Sequence, residues 1–437
     1  MQVNAKAHAP TRTFEGGVSY PIPPVEQLRR SVMTTMLWED QFYEDGEAIA
    51  ARIVRLVKEV GPAESMKIMF EAKEGQHLRH APMLIAVALV KNFRLSAIDI
   101  SRIITRADEL GEFLSMYWKD GRCPIDHQIR KGLALAFGKF DEYQLAKYNR
   151  NKAVKLRDVL RMVRPKPKNA VQAELWRRVV KGELATPDTW EVALSAGSDK
   201  ATTFKRLIDE GKLGDLAFVR NLRNMRGAGI SVDYLRAAIT QREYKRILPF
   251  QFIAAARYVP ELETELEAAM LVALQSFEKI EGEVAILVDG SGSMAANLSE
   301  KSEISRFDAA CGVAMMAREV CSKVTVYRFN EVVAPVPARR GFALRDALGT
   351  ANGSTRMWAA IRYVAKLGPR RLMVVITDEQ TEDNGMVNDA NADMLAIINV
   401  ASSEKGIGYG RGSVHISGWS ENVITYLQNY LACFIHP

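Results

Sequence analysis

Residues 284–294 read VAILVDGSGSM, and this stretch decides the fold of the C-terminal part of the chain. Its apolar run ends at Asp289 and passes directly into a glycine and serine turn, which predicts a buried strand of a parallel sheet. Similar apolar runs follow: VTVYRF at 324–329, LMVVIT at 372–377 and MLAIINV at 394–400. Helical patterns at 305–321, 355–366 and 420–430 lie between or after these runs. Strands that alternate with helices predict a doubly wound α/β domain, which we assign to residues 281–437.

The sequence before residue 280 shows helical periodicity and no strand pattern. Apolar residues recur at helical spacing in 47–60, 64–73, 79–92, 125–137, 199–209, 213–225, 231–240 and 260–277. Short helices joined by brief turns predict helix pairs stacked as an α-solenoid, and HEAT-type repeats of about 40–47 residues would suit this length. We assign residues 21–280 to this helical module and residues 1–20 to an N-terminal extension.

Composition excludes several classes of protein. No apolar run in the 437 residues approaches the roughly 18 residues that a membrane span needs, and the N-terminus lacks the apolar core of a secretory signal. The four cysteines show no CxxC pairing, which argues against a disulfide framework or a thiolate zinc site. We therefore expect a cytoplasmic protein with no membrane partner.

Positive charge is concentrated in one stretch of the helical part. The chain has a formal net charge of +7, but residues 122–168 alone hold 13 basic and 4 acidic residues. Clustered cations predict a surface that binds a polyanion, and Tyr143 and Tyr148 among them favour RNA, whose bases stack on aromatic rings. A solvated helix face is the alternative. The candidate RNA-binding residues here are Arg130, Lys131, Lys147, Arg150, Lys152, Lys155, Arg157, Arg161, Arg164, Lys166 and Lys168.

A second candidate surface is the row Arg220, Arg223 and Arg226. The spacing i, i+3, i+6 places the three guanidinium groups along one side of a predicted helix, where they could follow a single strand of RNA. The alternative is that these arginines are the solvated edge of a helix whose apolar stripe faces the core.

Oxygen-bearing residues follow the predicted strands and suggest a metal site. Asp289, Ser291 and Ser293 follow the first strand, Thr355 stands at the start of a helix, and Asp378 follows LMVVIT. This order resembles the metal-ion-dependent adhesion site of von Willebrand factor A domains. Such oxygens are the ligands that Mg²⁺ prefers, so we expect Mg²⁺ or another divalent cation such as Mn²⁺. One open position would accept an acidic side chain of a partner protein. A loop that has lost its ion is the alternative.

No catalytic constellation accompanies this candidate site. Asp289 and Asp378 could form an acid and base pair, but the sequence has no nucleophile motif, phosphate-binding loop or catalytic histidine beside them. We therefore expect no enzyme activity. A metal-dependent nuclease is the disfavoured alternative.

Several segments together resemble the TROVE module of the Ro autoantigen family and its bacterial or phage relatives. The resemblance covers nearly all of residues 20–437 and rests on the von Willebrand motif DGSGSM (289–294) and on four helical segments: IRKGLALAF (129–137), KYNR (147–150), LRDVLRMVRPKP (156–167) and LAFVRNLRNMRGAGI (216–230). In this family the HEAT-like repeats close into a ring that the von Willebrand factor A domain bridges.

The resemblance implies a monomeric, non-catalytic RNA-binding protein. Family members bind small structured noncoding RNAs, the Y RNAs, on the outer surface, and single-stranded 3′ ends of misfolded RNAs enter the ring. Bacterial members act in RNA quality control with an exoribonuclease that a Y-like RNA tethers. The competing interpretation is a protein-interaction scaffold that captures an acidic partner through the metal site.

Three family segments, with four positions, carry over onto the basic stretch. Lys147 matches the lysine of the family's KY segment, and Arg130 and Lys131 match the RK pair of the preceding helix. Arg164 holds the place of an RNA-contacting histidine in the family's LSHLKP segment. Arginine also binds phosphate, so the resemblance still implies RNA binding and leaves selectivity for a Y-type RNA open.

Overall fold

The computed structural model describes residues 11–13, 15–19, 22–33, 45–75, 77–149, 152–244, 247, 249–274, 279–298, 302–401, 407, 413–418, 423, 427–428 and 431. The chain divides into two compact units, one made of Ala50–Gly214 and the other of Met1–Ile49 together with Asp215–Pro437. Among the described residues, no helix is long and apolar enough to cross a membrane.

The described part of the chain begins with a short antiparallel hairpin and a helix. These are β1 (Thr11–Arg12), β2 (Val18–Ser19) and α1 (Pro24–Met33). All of them belong to the unit that contains Asp215–Pro437.

The helices that follow account for the unit Ala50–Gly214, in whose described residues there is no strand. They are α2 (Gly46–Val60), α3 (Pro62–Phe70), α4 (His80–Asn92), α5 (Ala97–Ile103), α6 (Ala107–Tyr117), α7 (His127–Phe137), α8 (Glu142–Tyr148), α9 (Leu156–Val163), α10 (Ala170–Lys181), α11 (Trp190–Ser195) and α12 (Lys200–Asp209). A π-helical turn, Glu71–Gly75, continues α3.

Helix packing in this unit follows from the apolar patterns. Helix α4 is apolar on all sides and is buried from Ala81 to Leu89, as expected of a helix that other helices enclose. Helices α5 and α7 approach closely at Gly132, where a Cβ atom would lie 2.7 Å from Ile100 Cβ. A glycine is therefore required for this crossing.

Another group of helices leads from residue 215 to the C-terminal sheet. They are α13 (Asp215–Gly227), α14 (Val232–Thr240), α15 (Pro249–Tyr258) and α16 (Glu263–Leu274). Helix α13 packs on α15, and α14 packs on α16.

The C-terminal part is a six-stranded sheet with helices between the strands. Its elements are β3 (Ile280–Asp289), α17 (Arg306–Val320), β4 (Cys321–Phe329), β5 (Val333–Pro335), α18 (Gly341–Leu348), α19 (Met357–Lys366), β6 (Leu372–Thr377), β7 (Leu395–Asn399) and β8 (Ser413–Ser417). The strand order is β5-β4-β3-β6-β7-β8. Every pairing is parallel except that of β4 with β5.

Both faces of this sheet are covered. Helix α19 joins a buried cluster with Ala285 and Leu287 of β3, and α17 also packs on β3 and β4. Consecutive residues of β3 are buried from Val284 to Asp289, which is the pattern of a strand enclosed on two sides.

The predicted fold class is confirmed, with helices before residue 280 and a doubly wound α/β sheet after it. The helical pattern at 420–430 lies largely outside the described residues. Elements that the sequence analysis did not predict include helices α1, α5, α6, α10, α15 and α18, the hairpin β1 and β2, the edge strand β5 and the last strand β8. The strands among them are short or only partly apolar, so they carry no continuous apolar run.

Candidate metal centre and nucleic-acid interface

The two predicted metal-binding carboxylates meet at the carboxyl edge of the sheet. Strands β3 and β6 are parallel neighbours, with Val288 opposite Ile376, so Asp289 and Asp378 lie at adjacent strand ends. The Thr377 hydroxyl donates to Asp289 Oδ2 at 2.6 Å. Both carboxylates are fully buried, and the structure therefore brings them into one enclosed site.

The three predicted hydroxyl ligands come from two loops that are tied together. Backbone hydrogen bonds of 2.7 and 2.8 Å join the loop 290–293 to the loop 352–355. Ser291 and Thr355 are buried and Ser293 is partly buried, and Ser291 Oγ lies 3.3 Å from Ser293 Oγ. The loop arrangement places all five predicted ligand residues at one edge of the sheet.

An arginine side chain passes directly against Gly290. A Cβ atom at this position would lie 2.5 Å from Arg328 Nε. Arg328 Nη2 donates to the carbonyl oxygens of Thr350 at 2.7 Å and of Gly290 at 3.3 Å, so this side chain links the two loops.

The donor set fits a hard divalent cation. Burial, and after it the nearby charge of Asp378, raise the pKa of Asp289 to about 7, so two negative charges are unfavourable here without a compensating cation. Hydroxyl and carboxylate oxygens are the ligand types that Mg²⁺ and Mn²⁺ accept.

A buried arginine that the sequence analysis missed shares this edge of the sheet. Arg306 Nη1 lies 3.0 Å from Asp378 Oδ2, and both side chains are buried. The two residues are 72 positions apart in sequence, so no spacing rule links them. Only the packing of the N-terminus of α17 against the end of β6 brings them together.

The loop that follows β6 is held by the N-terminal elements of the same unit. Arg30 Nη1 of α1 lies 2.5 Å from Glu379 Oε2, and His415 Nδ1 of β8 lies 3.5 Å from Glu379 Oε1. The Thr13 hydroxyl donates to the carbonyl oxygen of Thr381 at 2.8 Å. Residues before 34 therefore help to fix the loop that carries Asp378.

The basic stretch is distributed over consecutive helices of the unit Ala50–Gly214. Arg130 and Lys131 lie on α7, Lys147 on α8, and Arg157 and Arg161 on α9. The other described candidates lie in irregular segments around α9: Lys152 and Lys155 before it, and Arg164, Lys166 and Lys168 after it. The predicted Arg150 lies outside the described residues.

Most of these cations have no acidic partner in the described part of the chain. No described carboxylate lies within ion-pairing distance of a group of predicted cations: Arg130, Lys131, Lys147, Lys155, Arg161, Arg164, Lys166 and Lys168. Lys147 and Lys155 are partly buried and the others are exposed. These eight residues are called the open cations below.

Two predicted cations are engaged by carboxylates instead. Lys152 pairs with Glu112 of α6, and Arg157 Nε lies 3.9 Å from Asp158 Oδ1. Burial acts to raise the pKa of Glu112, but hydrogen bonds from His80 and Lys152 and the charge of Arg79 outweigh it and lower this pKa to about 2. Lys152 is therefore held by an ionised carboxylate at neutral pH.

Aromatic rings lie beside the open cations. Lys147 Nζ lies 5.8 Å from the ring centre of Tyr143 and 5.9 Å from that of Tyr148. Tyr143 is 49% exposed, so its ring is available for stacking.

Arg161 lines a cavity of about 230 Å³ together with Arg122, Val154 and Met162.

The three arginines of the predicted row on α13 differ from one another in their contacts. Arg226 Nε lies 2.8 Å from Glu261 Oε1, and its Nη1 donates to the carbonyl oxygen of Ile230 at 2.9 Å. Arg223 stacks over Tyr258, with its guanidinium carbon 4.5 Å from the ring centre. Arg220 is exposed. The three arginines therefore do not present a uniform row of available charges.

Comparison with known proteins finds a match to the TROVE domain over part of the chain. Residues 177–327 match the model of the TROVE domain. Telomerase protein component 1 of Mus musculus and of Rattus norvegicus are 34% and 33% identical to this chain over 92 residues. These matches cover 20% of this chain and 4% of each relative, so the chain spans a small fraction of the curated relatives that it matches.

One solved structure is similar over almost the whole chain. The crystal structure of the Deinococcus radiodurans Ro (RSR) protein aligns with a TM-score of 0.62 at 16% sequence identity, and the match covers 94% of this chain and 99% of that one. The predicted resemblance is confirmed. The fold of the chain is similar to that of a Ro protein, and the part of the chain from 177 to 327 matches the TROVE domain.

Proposed function

We propose that this chain is an RNA-binding protein of a small noncoding-RNA particle, and that the open cations form its principal RNA-binding surface. The observation that carries the proposal is that consecutive elements from α7 to residue 168 present cations for which the described part of the chain holds no acidic partner. Phosphate groups need such available cations, because a cation already paired with a carboxylate gains little from a second anion.

Other arginines of the same unit are paired with carboxylates and so differ from the open cations. Arg102 pairs with Glu74, Arg177 with Glu174 and Glu183, and Arg206 with Asp188 and Glu210. These arginines belong to a solvated, self-neutralised surface, in which charges add little to binding or stability. The open cations differ from them in lacking partners, not in exposure.

The resemblance to Ro proteins supports RNA as the polyanion. We propose a structured, Y-like RNA as one ligand and single-stranded RNA 3′ ends as another, in RNA quality control or degradation in the cytoplasm. An exoribonuclease tethered through the RNA is the proposed partner. In this proposal the chain itself is monomeric and performs no catalysis, so RNA should be recovered intact from binding assays.

Combined replacement of Lys147, Arg161 and Arg164 by alanine tests the proposal. We expect the dissociation constant for a stem-loop RNA with a single-stranded 3′ tail to rise at least a hundredfold, because each lost charged contact is worth about 1–3 kcal/mol. Fluorescence anisotropy with a labelled RNA measures it.

The matched control replaces Arg102, Arg177 and Arg206 by alanine. It removes the same formal charge from the same unit, but from residues that are already paired, and should change the affinity less than threefold. If both triple variants lose affinity equally, RNA affinity depends on the net charge of the chain and not on the open cations. If neither does, the basic stretch serves another partner, such as an acidic protein.

We also propose that Asp289, Ser291, Ser293, Thr355 and Asp378 hold one Mg²⁺ or Mn²⁺ ion. The enclosed set of oxygen donors supports this proposal, and an acidic side chain of a partner protein would suit an open position of the ion. A Mn²⁺ titration by calorimetry tests it, because Asp289→Ala should bind no ion.

A further inference from the structure

We infer that Arg306 is a built-in counter-cation of the candidate metal site, which holds Asp378 in place without an ion and weakens the binding of divalent cations. The inference rests on the proposed metal site and assigns a function to a residue outside its ligand set. It follows from the placement of one guanidinium group against one of the two buried carboxylates.

The position of Arg306 is fixed by its backbone. It is the first residue of α17, directly after Ser305, whose hydroxyl accepts a hydrogen bond from Asp308 N and so caps the helix. The backbone N–H of Arg306 donates to the carbonyl oxygen of Ala296 at 2.8 Å. The backbone from which the Arg306 side chain extends is therefore held in place at the start of the helix.

The two buried carboxylates differ in the charge of the groups that donate hydrogen bonds to them. Asp289 accepts hydrogen bonds from the Thr377 hydroxyl at 2.6 Å and from Ser291 N at 2.9 Å, both of which are neutral donors. Asp378 accepts from Gln380 N at 3.2 Å and from the Arg306 guanidinium at 3.0 Å. The guanidinium therefore supplies a full positive charge to a buried carboxylate that has no other ion-pair partner among the described residues.

The same charge opposes a metal ion. A divalent cation bound by Asp378 would lie close to the guanidinium in a buried site, where like charges repel strongly. Affinity for such ions depends on the charge of the ligand set, and Arg306 reduces that charge by one. The ligand set is thereby kept in position, but its ion is held weakly enough to exchange.

A titration of Mn²⁺ into wild-type protein and Arg306→Met tests this inference. We expect Arg306→Met to bind Mn²⁺ at least tenfold more tightly, because the competing charge is gone. Arg306→Lys, which retains the charge, should stay within about threefold of wild type. The matched control is Arg257→Met, which removes the arginine that contacts Asp308 on the same helix at 3.0 Å and should leave the affinity unchanged.

Thermal unfolding with and without Mn²⁺ gives a second readout in case Arg306→Met is unstable. The variant should be destabilised without the ion, and Mn²⁺ should raise its midpoint more than that of wild type. Equal Mn²⁺ affinity and equal Mn²⁺-induced stabilisation in wild type and Arg306→Met would overturn the role of Arg306 and leave the metal site intact. No Mn²⁺ binding by wild type or any folded variant would overturn the metal site itself.

Discussion

Arg30 and Glu379 form an ion pair whose side chains are both fully buried, with Nη1 and Oε2 2.5 Å apart. Glu379 also adopts a left-handed backbone conformation, with φ of 61°, which an L-residue other than glycine adopts only when its surroundings impose it. The charge of Arg30 compensates the Glu379 carboxylate, and Glu379 directly follows Asp378. One residue of the N-terminal helix therefore stabilises the loop that carries a candidate metal ligand.

Replacing Arg30 by methionine should lower the free energy of unfolding by about 3–5 kcal/mol, because it leaves a buried carboxylate without its partner. Urea denaturation of the full chain measures the change. Arg29→Met is the control on the same helix, since Arg29 is partly exposed and pairs with Glu26 within one helical turn, and it should cost less than about 1 kcal/mol. Similar losses for the two variants would show that the buried pair contributes nothing special.

At the scale of the element, helix α9 shows a conflict between stability and charge. It ends at Arg164, which has φ of 47° and ψ of 59° and whose N–H donates to the carbonyl oxygen of Leu160 at 2.9 Å. Glycine is the favoured residue for such a left-handed helix end, and another L-residue there costs about 1–2 kcal/mol. The chain nevertheless places an exposed cation at this position.

Arg164→Gly should therefore be more stable than Arg164→Ala by about 1 kcal/mol, since both variants lose the charge and only glycine relieves the backbone strain. Both should bind RNA about tenfold more weakly than wild type, because one charged contact is lost. Thermal unfolding and RNA anisotropy on the same samples check the two effects. Arg164→Gly that is no more stable than Arg164→Ala would show that the cap is unstrained.

The sequence predicts those strands whose own residues show a strong apolar pattern. The runs at 324–329 and 372–377 are rich in β-branched and aromatic or aliphatic residues, which favour strands, and the structure places β4 over Cys321–Phe329 and β6 over Leu372–Thr377. Strand β5, by contrast, is three residues long and largely exposed. Strand β5 forms by pairing with its neighbour β4, and the sequence of β5 alone does not indicate this pairing.

Electrostatic partners are the part of the site that the sequence could not provide. Lys152 and Arg161 stand in the same basic stretch, yet Lys152 is engaged by Glu112, which lies 40 positions away. The pairing of Arg306 with Asp378 spans 72 positions. Such contacts arise from the packing of whole helices, so the ligand residues could be predicted from their motif but their counter-charges could not.

At the scale of the whole molecule, some cations are paired with carboxylates of the chain, and the open cations are not. The formal net charge of +7 is modest for the RNA-binding protein that we propose. The open cations carry eight positive charges that the described carboxylates do not offset. Binding should thus be local to this surface and strongly dependent on salt, because each neutralised phosphate releases counter-ions.

The salt dependence of RNA affinity tests this claim most directly. For single-stranded RNA, the logarithm of the association constant should fall linearly with the logarithm of salt concentration, with a slope of about −0.7 for each phosphate contacted. The variant with Lys147, Arg161 and Arg164 replaced by alanine should show a slope shallower by about 2, while the control variant at Arg102, Arg177 and Arg206 keeps the wild-type slope. A wild-type affinity independent of salt, or the same slope in wild type and the Lys147, Arg161 and Arg164 variant, would contradict the proposal that these open cations bind the RNA backbone.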